Sequence, residues 1–209
     1  MRWQQLQYTI QDQPLFETSL LLTGEVTRHQ AQRQLSDWTQ AQKIIQLRRG
    51  IYTLPHQNPH PFIVANHLVS GSYVSLQMAL AYYHLIPEHV AAVTSVTTQR
   101  PGKYKNKFGR FSYRHIHTSL FYGIEYRLLV NNEYAYVAMP EKALLDLIHF
   151  RPQGDSITYI ESLRLQNLEI LDLERLHQFA ERAGKPKLKR AAKAIEAIAR
   201  REAEEYELL

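Results

Sequence analysis

Arg28, Gln30, Gln32, Arg33 and Gln34 crowd one short segment, and the doublet Arg48-Arg49 follows it. Arginine pairs with guanine edges and phosphate oxygens, and glutamine pairs with adenine, so this set has the chemistry of a DNA reader. Each phosphate contact adds affinity that is independent of sequence and falls with salt. The competing reading is the wet side of an amphipathic helix followed by two solvated arginines.

A second basic run, Arg100, Lys103, Lys105, Lys107, Arg110 and Arg114, is interleaved with Tyr104 and Tyr113. Charge beside stacking rings suits single strands, RNA or a phosphate groove. The same pattern fits a solvated hairpin whose rings join the core. A third run lies near the end of the chain, where Lys187, Lys189 and Arg190 sit among Lys185, Lys193, Arg200 and Arg201. It can extend a DNA-binding surface or dock an acidic partner, or it is simply the exposed face of a helix.

Two further groups invite a catalytic reading. His115 and His117 share one face of an expected strand, with Glu125 as a candidate third ligand for a metal-dependent, nucleic-acid-processing enzyme. His117-Thr118-Ser119-Leu120 also fits half of the paired His-x-Ser/Thr motif of two-histidine phosphoesterases, but the chain holds no second copy. Structural histidines are the better reading. Glu141, Lys142 and Asp146 supply acids and a lysine of the kind a nuclease brings to a metal. Here Glu141 reads as a helix-start acid and Asp146 as a surface or cap partner. No catalytic residue, metal ligand or cofactor is assigned, and the chain is not expected to be an enzyme.

The elements that must position the first set follow from apolar spacing. A first helix opens the chain, and Pro14 to Leu22 reads as a second, broken at Thr23-Gly24. Thr27 is a plausible N-cap for a third over Arg28 to Thr39, with Ala31, Leu35 and Trp38 on one face. Lys43 to Leu47 and Gly50 to Leu54 then alternate like strands of a hairpin with Arg48-Arg49 at its tip. Helices followed by such a hairpin give the order of a winged helix-turn-helix. The run HQNPHP, residues 56–61, marks a boundary, so residues 1–58 are expected to form a DNA-binding domain and residues 59–209 a second domain.

In that second part a helix is expected from Tyr73 through Leu85, a strand over Val90 to Thr98, a basic turn over Arg100 to Lys107 and a strand over Phe108 to His117. Further strands fall within Ser119 to Val130 and over Tyr134 to Ala138, turning at Asn131-Asn132. Pro140 to Phe150 is a helix with proline in its first turn and Ala143, Leu144, Leu147 and Ile148 as its apolar stripe. Helices are expected to fill the remainder, over Ser156 to Leu165, Asp172 to Ala183 and Pro186 to about Tyr206. The fold class is therefore α+β, ending in a helical C-terminal end.

At 209 residues and 44% hydrophobic, the chain can bury two modest cores, and its net charge of +5 favours a polyanionic partner. With no cysteine it cannot form disulfides or thiolate metal sites. No run reaches the roughly 18 apolar residues of a membrane span, so no membrane partner and a cytoplasmic location are expected.

Together these stretches resemble the AbiEi-type antitoxins, regulators of abortive-infection (type IV toxin-antitoxin) systems. The resemblance rests on LRRGIYTLP at Leu47 to Pro55, GSYVSLQMALAYYHLIPE at Gly71 to Glu88, VTSVTTQRPGKYKNKFGRFSYRHIH at Val93 to His117 and AMPEKALLDLI at Ala138 to Ile148. It implies an N-terminal winged helix that binds operator DNA and represses its own operon. It also implies a C-terminal antitoxin domain that counteracts a nucleotidyltransferase-like toxin. An antitoxin that grips its toxin directly without binding an operator is the remaining alternative.

Overall fold

The structure, a computed structural model, describes residues 2–11, 13–22, 26–88 and 90–207. Leu6, Ile10, Leu35, Ile44 and Tyr52 anchor a small apolar cluster near the start of the chain. The segments that supply it are α1 (Trp3–Thr9), β1 (Phe16–Glu17), a 3-10 turn at Thr18–Leu21, α2 (Arg28–Gln40), β2 (Ile45–Arg48) and β3 (Ile51–Thr53). β3 lies between β1 and β2 and is antiparallel to both.

The helix expected over Pro14 to Leu22 is replaced by β1 and the 3-10 turn. Phe16 pairs with Tyr52, their rings stacked at 5.7 Å, and the Thr53 hydroxyl donates to the Pro14 carbonyl at 2.8 Å. Cross-strand partners thus override local helix preference. The expected break at Thr23-Gly24 lies outside the described residues.

The rest of the chain builds a six-stranded mixed sheet with helices packed on it. Its elements are α3 (Pro61–Leu68), β4 (Ser72–Val74), α4 (Leu76–Tyr82), β5 (Val93–Thr97), β6 (Gly102–Asn106), β7 (Gly109–His115), β8 (Ile124–Leu128) and β9 (Tyr134–Ala138). They run in the order β6-β7-β5-β4-β9-β8. β5 with β7 and β4 with β9 are parallel, and the other neighbours are antiparallel. α5 (Pro140–Phe150), α6 (Ile157–Ser162), α7 (Leu173–Ala183) and α8 (Pro186–Glu207) complete the fold.

Among the described residues the chain is therefore α+β with two sheets, and two further expectations are corrected. Tyr73 and Val74 belong to central strand β4, where both are fully buried, and the helix starts only at Leu76. Residues expected to form a basic turn form β6 instead, with the reversal at Lys107-Phe108. α5 matches its expected bounds. Proline in its first turn fits a position without a needed N–H donor, and Ala143, Leu144 and Ile148 are fully buried. Each large aliphatic side chain buried this way contributes roughly 1.5–3 kcal/mol.

The hairpin β2–β3 serves two cores. Ile44, Tyr52 and Leu54 pack into the small cluster, whereas Leu47 and Ile51, with Leu15, pack into the large one beneath the six-stranded sheet. Among the described residues no helix is long and apolar enough to cross a membrane.

Candidate nucleic-acid interface

α2 is held by its buried stripe Ala31, Leu35 and Trp38, with Trp38 edge-on to Trp3 at 5.3 Å. Its start is a capping box. The Thr27 hydroxyl accepts from the Gln30 amide N–H at 3.3 Å, and the Gln30 side-chain carbonyl accepts from the Thr27 N–H at 2.9 Å. Gln30 is thereby committed to the helix end, although the sequence made it a candidate base reader.

Arg28, Gln32, Ser36 and Gln40 recur at every fourth position and form one exposed stripe of α2. This stripe, the 3-10 turn and the hairpin enclose a groove of about 830 Å³. Gln46, Arg48 and Arg49 line it from the hairpin, and His67, Ser70 and Gln99 contribute from the larger part of the fold. Glu17 is the acidic side chain in its wall among the described residues. Arg33 and Gln34 lie away from this lining, Arg33 exposed and Gln34 half-buried.

The hairpin turns at Arg49-Gly50, where Gly50 has φ +87°, a conformation that side chains rarely adopt. The Gly50 carbonyl accepts from the Thr18 N–H at 3.0 Å, which fixes the turn against the 3-10 segment. Both arginines are exposed, and they differ in their contacts. The Arg48 guanidinium donates to the Leu68 carbonyl and lies over the Tyr104 ring, 5.0 Å from its centroid, so it ties the hairpin to α3 and β6.

The second basic set divides between two places. On β6 and β7, Lys105 pairs with Arg110 and Lys103 with Ser112, so Lys103, Lys105, Arg110 and Arg114 share a face, while Tyr104, Phe111 and Tyr113 turn inward. The Tyr113 hydroxyl donates to the Ala65 carbonyl at 2.7 Å, and burial pushes its pKa well above the usual tyrosine value. Tyr113 is thus a core residue and Tyr104 a half-buried ring packed against the core, so the two do not form an open stacking platform. Arg100 is exposed at the preceding bend, and Arg114 lies over the Phe150 ring at 5.7 Å. Lys107 reaches the Pro55 and Gln57 carbonyls, each at 3.4 Å, and desolvation lowers its pKa.

On α8 the remaining candidates have structural partners. Lys187 donates to the His149 and Arg151 carbonyls at the C-terminal end of α5, Lys189 pairs with Glu181, and Arg190 pairs with Asp155 at 2.6 Å. The Arg190 hydrogen bond holds the Asp155 carboxyl below its ordinary range.

The two histidines weighed as metal ligands serve local geometry. His115 Nδ1 bonds the Gln99 carbonyl at 3.0 Å, and His117 Nδ1 accepts from the Ser119 N–H at 3.2 Å to cap a 3-10 turn. Among the described residues no group of three or more His, Asp or Glu side chains is placed to hold a metal ion.

One constellation departs from its sequence reading. Asp146, taken for a surface or cap partner, is 1% exposed, and Lys142 beside it is 3% exposed. They pair with each other, and Asp146 also accepts from the Tyr73 hydroxyl at 2.9 Å and from Ser75 at 2.8 Å. Burial raises the Asp146 pKa, opposed by Lys142 and the two hydroxyls. Glu141 does sit in the first helical turn, but it is fully buried, pairs with Arg175 at 3.0 Å and accepts from the Asp172 N–H at 2.8 Å. These acids lock α5 to β4 and α7 and are closed to solvent. The visible signal was the sequence ALLDLI, whose apolar residues surround the acid on every side of the helix. No family model and no curated protein matches the chain.

Proposed function

We propose that this chain is a DNA-binding transcriptional repressor and the antitoxin of a type IV toxin-antitoxin system, with a winged helix-turn-helix in residues 1–58 and an antitoxin domain in residues 59–209. The observation that carries the DNA reading is the polar groove between α2 and the hairpin, where Arg28, Gln32 and Arg49 are open to solvent. The order α1, β1, 3-10 turn, α2, β2, β3 supports it, as does the strand order β1-β3-β2. In this reading the helix before the recognition helix is reduced to the single turn Thr18–Leu21.

The mechanism is occupancy. A major groove about 12 Å wide accepts α2, whose exposed stripe faces base edges, while Arg49 meets a phosphate. Arg48 acts as a positioning residue that holds the hairpin, through Leu68 and Tyr104, at a fixed angle to α2. The antitoxin role and its nucleotidyltransferase-like toxin are supported by the motif resemblance, and repression in the cytoplasm follows from an operator target.

The test is binding to the upstream DNA of its own gene across a salt titration, with a scrambled duplex of equal length as control. Selective binding that weakens steeply with salt is expected. Equal, weak binding to both duplexes would overturn the operator reading and leave direct toxin binding as the account.

A further inference from the structure

The two edges of the six-stranded sheet are treated differently. β6 carries Lys103 and Lys105, charges of the kind that discourage strand addition. β8, at the other end, is flanked on its far side by no strand among the described residues. Its solvent face carries Tyr126, 62% exposed, and Leu128, 53% exposed, beside Tyr134 and Tyr136 of β9. Tyr126 stacks on Tyr134 at 5.1 Å and leans on Tyr136 at 4.8 Å, so the patch is continuous.

The ladder with β9 fixes which backbone groups of β8 are left over. The Met139 N–H donates to the Gly123 carbonyl and the Leu129 N–H to the Glu133 carbonyl. Bonding therefore alternates through Gly123, Glu125, Arg127 and Leu129, and the N–H and C=O groups of Ile124, Tyr126 and Leu128 point to the open edge.

We infer that β8 is a homodimer interface, joining a second copy of this chain through antiparallel β8 to β8 pairing about a two-fold axis at Tyr126. The strand reads Ile124-Glu125-Tyr126-Arg127-Leu128, and about that centre it is complementary to itself. Tyr126 faces Tyr126 of the second copy, Ile124 faces Leu128, and Glu125 faces Arg127 in both directions. The outward backbone groups of the three even-numbered residues fall opposite one another and close the ladder. Within one chain Glu125 and Arg127 already pair at 2.7 Å, half-buried, so each can exchange its partner for the equivalent charge across the axis. The exposed tyrosine patch then becomes one surface spanning both copies. This inference does not depend on operator binding.

Sedimentation equilibrium of the full chain over the micromolar range tests it. A species of twice 24.5 kDa is expected. Glu125→Arg sets arginines opposite one another across the axis, and Arg127→Glu does the same with acids. Each should weaken the dimer by about tenfold or more. The double swap Glu125→Arg/Arg127→Glu restores complementarity both within and between chains and should recover the dimer, which separates pairing from damage to folding. A monomer at every concentration, a dimer indifferent to both reversals, or a swap that restores nothing would overturn the inference. So would a monomer whose binding of oligothymidine is abolished by Tyr126→Ala, which would make the patch a single-strand platform instead.

Discussion

Replacing Lys142 by Met keeps the length of the side chain but removes the charge that faces Asp146. Asp146 is then left 1% exposed, with only the Tyr73 and Ser75 hydroxyls donating to it. Breaking a buried pair from one side costs about 3–5 kcal/mol, because an uncompensated charge stays behind. In a chain of 209 residues each kcal/mol moves the melting temperature by roughly 2–4 °C, so Lys142→Met should melt about 6–20 °C lower. Removing both charges with Lys142→Met/Asp146→Leu leaves the two hydroxyls without an acceptor, at about 1–3 kcal/mol each. Adding Tyr73→Phe and Ser75→Ala replaces the polar site by an apolar one and should recover most of the loss, since no buried polar group is then left without a partner. Urea and thermal unfolding followed by circular dichroism measure all three variants. A loss below about 1 kcal/mol for Lys142→Met, or an additive series, would refute the reading of these groups as one closed network.

The arginines at the hairpin tip should separate by assay. Arg49→Ala is expected to reduce the salt slope of DNA binding by about one with the melting temperature unchanged, whereas Arg48→Ala should cost about 1 kcal/mol of stability through its lost carbonyl and ring contacts. Acid should destabilise the protein through His149, whose pKa is lowered to about 4 by burial and by Lys185, Lys142 and Lys187. The unfolded chain takes up that proton near pH 6.5 while the folded chain resists it, so stability falls as pH drops from 6.5 toward 4. Melting curves of His149→Gln should lose part of that dependence.

Elements whose signals are local were legible in the sequence. α5 announces itself by Pro140, Glu141 and a helical apolar stripe, and the hairpin by two alternating runs around Gly50. β6 also had a local signal, since Tyr104 turns inward between Lys103 and Lys105, but Pro101-Gly102 suggested a turn. Tyr73 and Val74 were absorbed into the helix that follows because a three-residue strand is too short to show its period. Phe16 becomes a strand through Tyr52, which lies far along the chain, and nothing near Phe16 encodes that pairing. The groove itself was not legible, although four residues singled out from the sequence, Arg28, Gln32, Arg48 and Arg49, come together along it. The capping role of Gln30 was readable too, since Thr27 and Gln30 stand at capping-box spacing. The anchoring of Arg48 was not, because its partners Leu68 and Tyr104 belong to segments that only the fold brings near.

The hairpin β2–β3 is a party wall. Ile44 and Tyr52 furnish one room and Leu47 and Ile51 the other, so the small core lies wholly before residues 56–61 while Leu15, Leu47 and Ile51 carry the large one across that stretch. Cutting the chain at that boundary would strip Leu15, Leu47 and Ile51 of their neighbours and present them to water. The groove beside α2 therefore owes its shape to side chains encoded on both sides of the linker. A substitution on the far side of the wall can reach that groove without touching a residue that lines it.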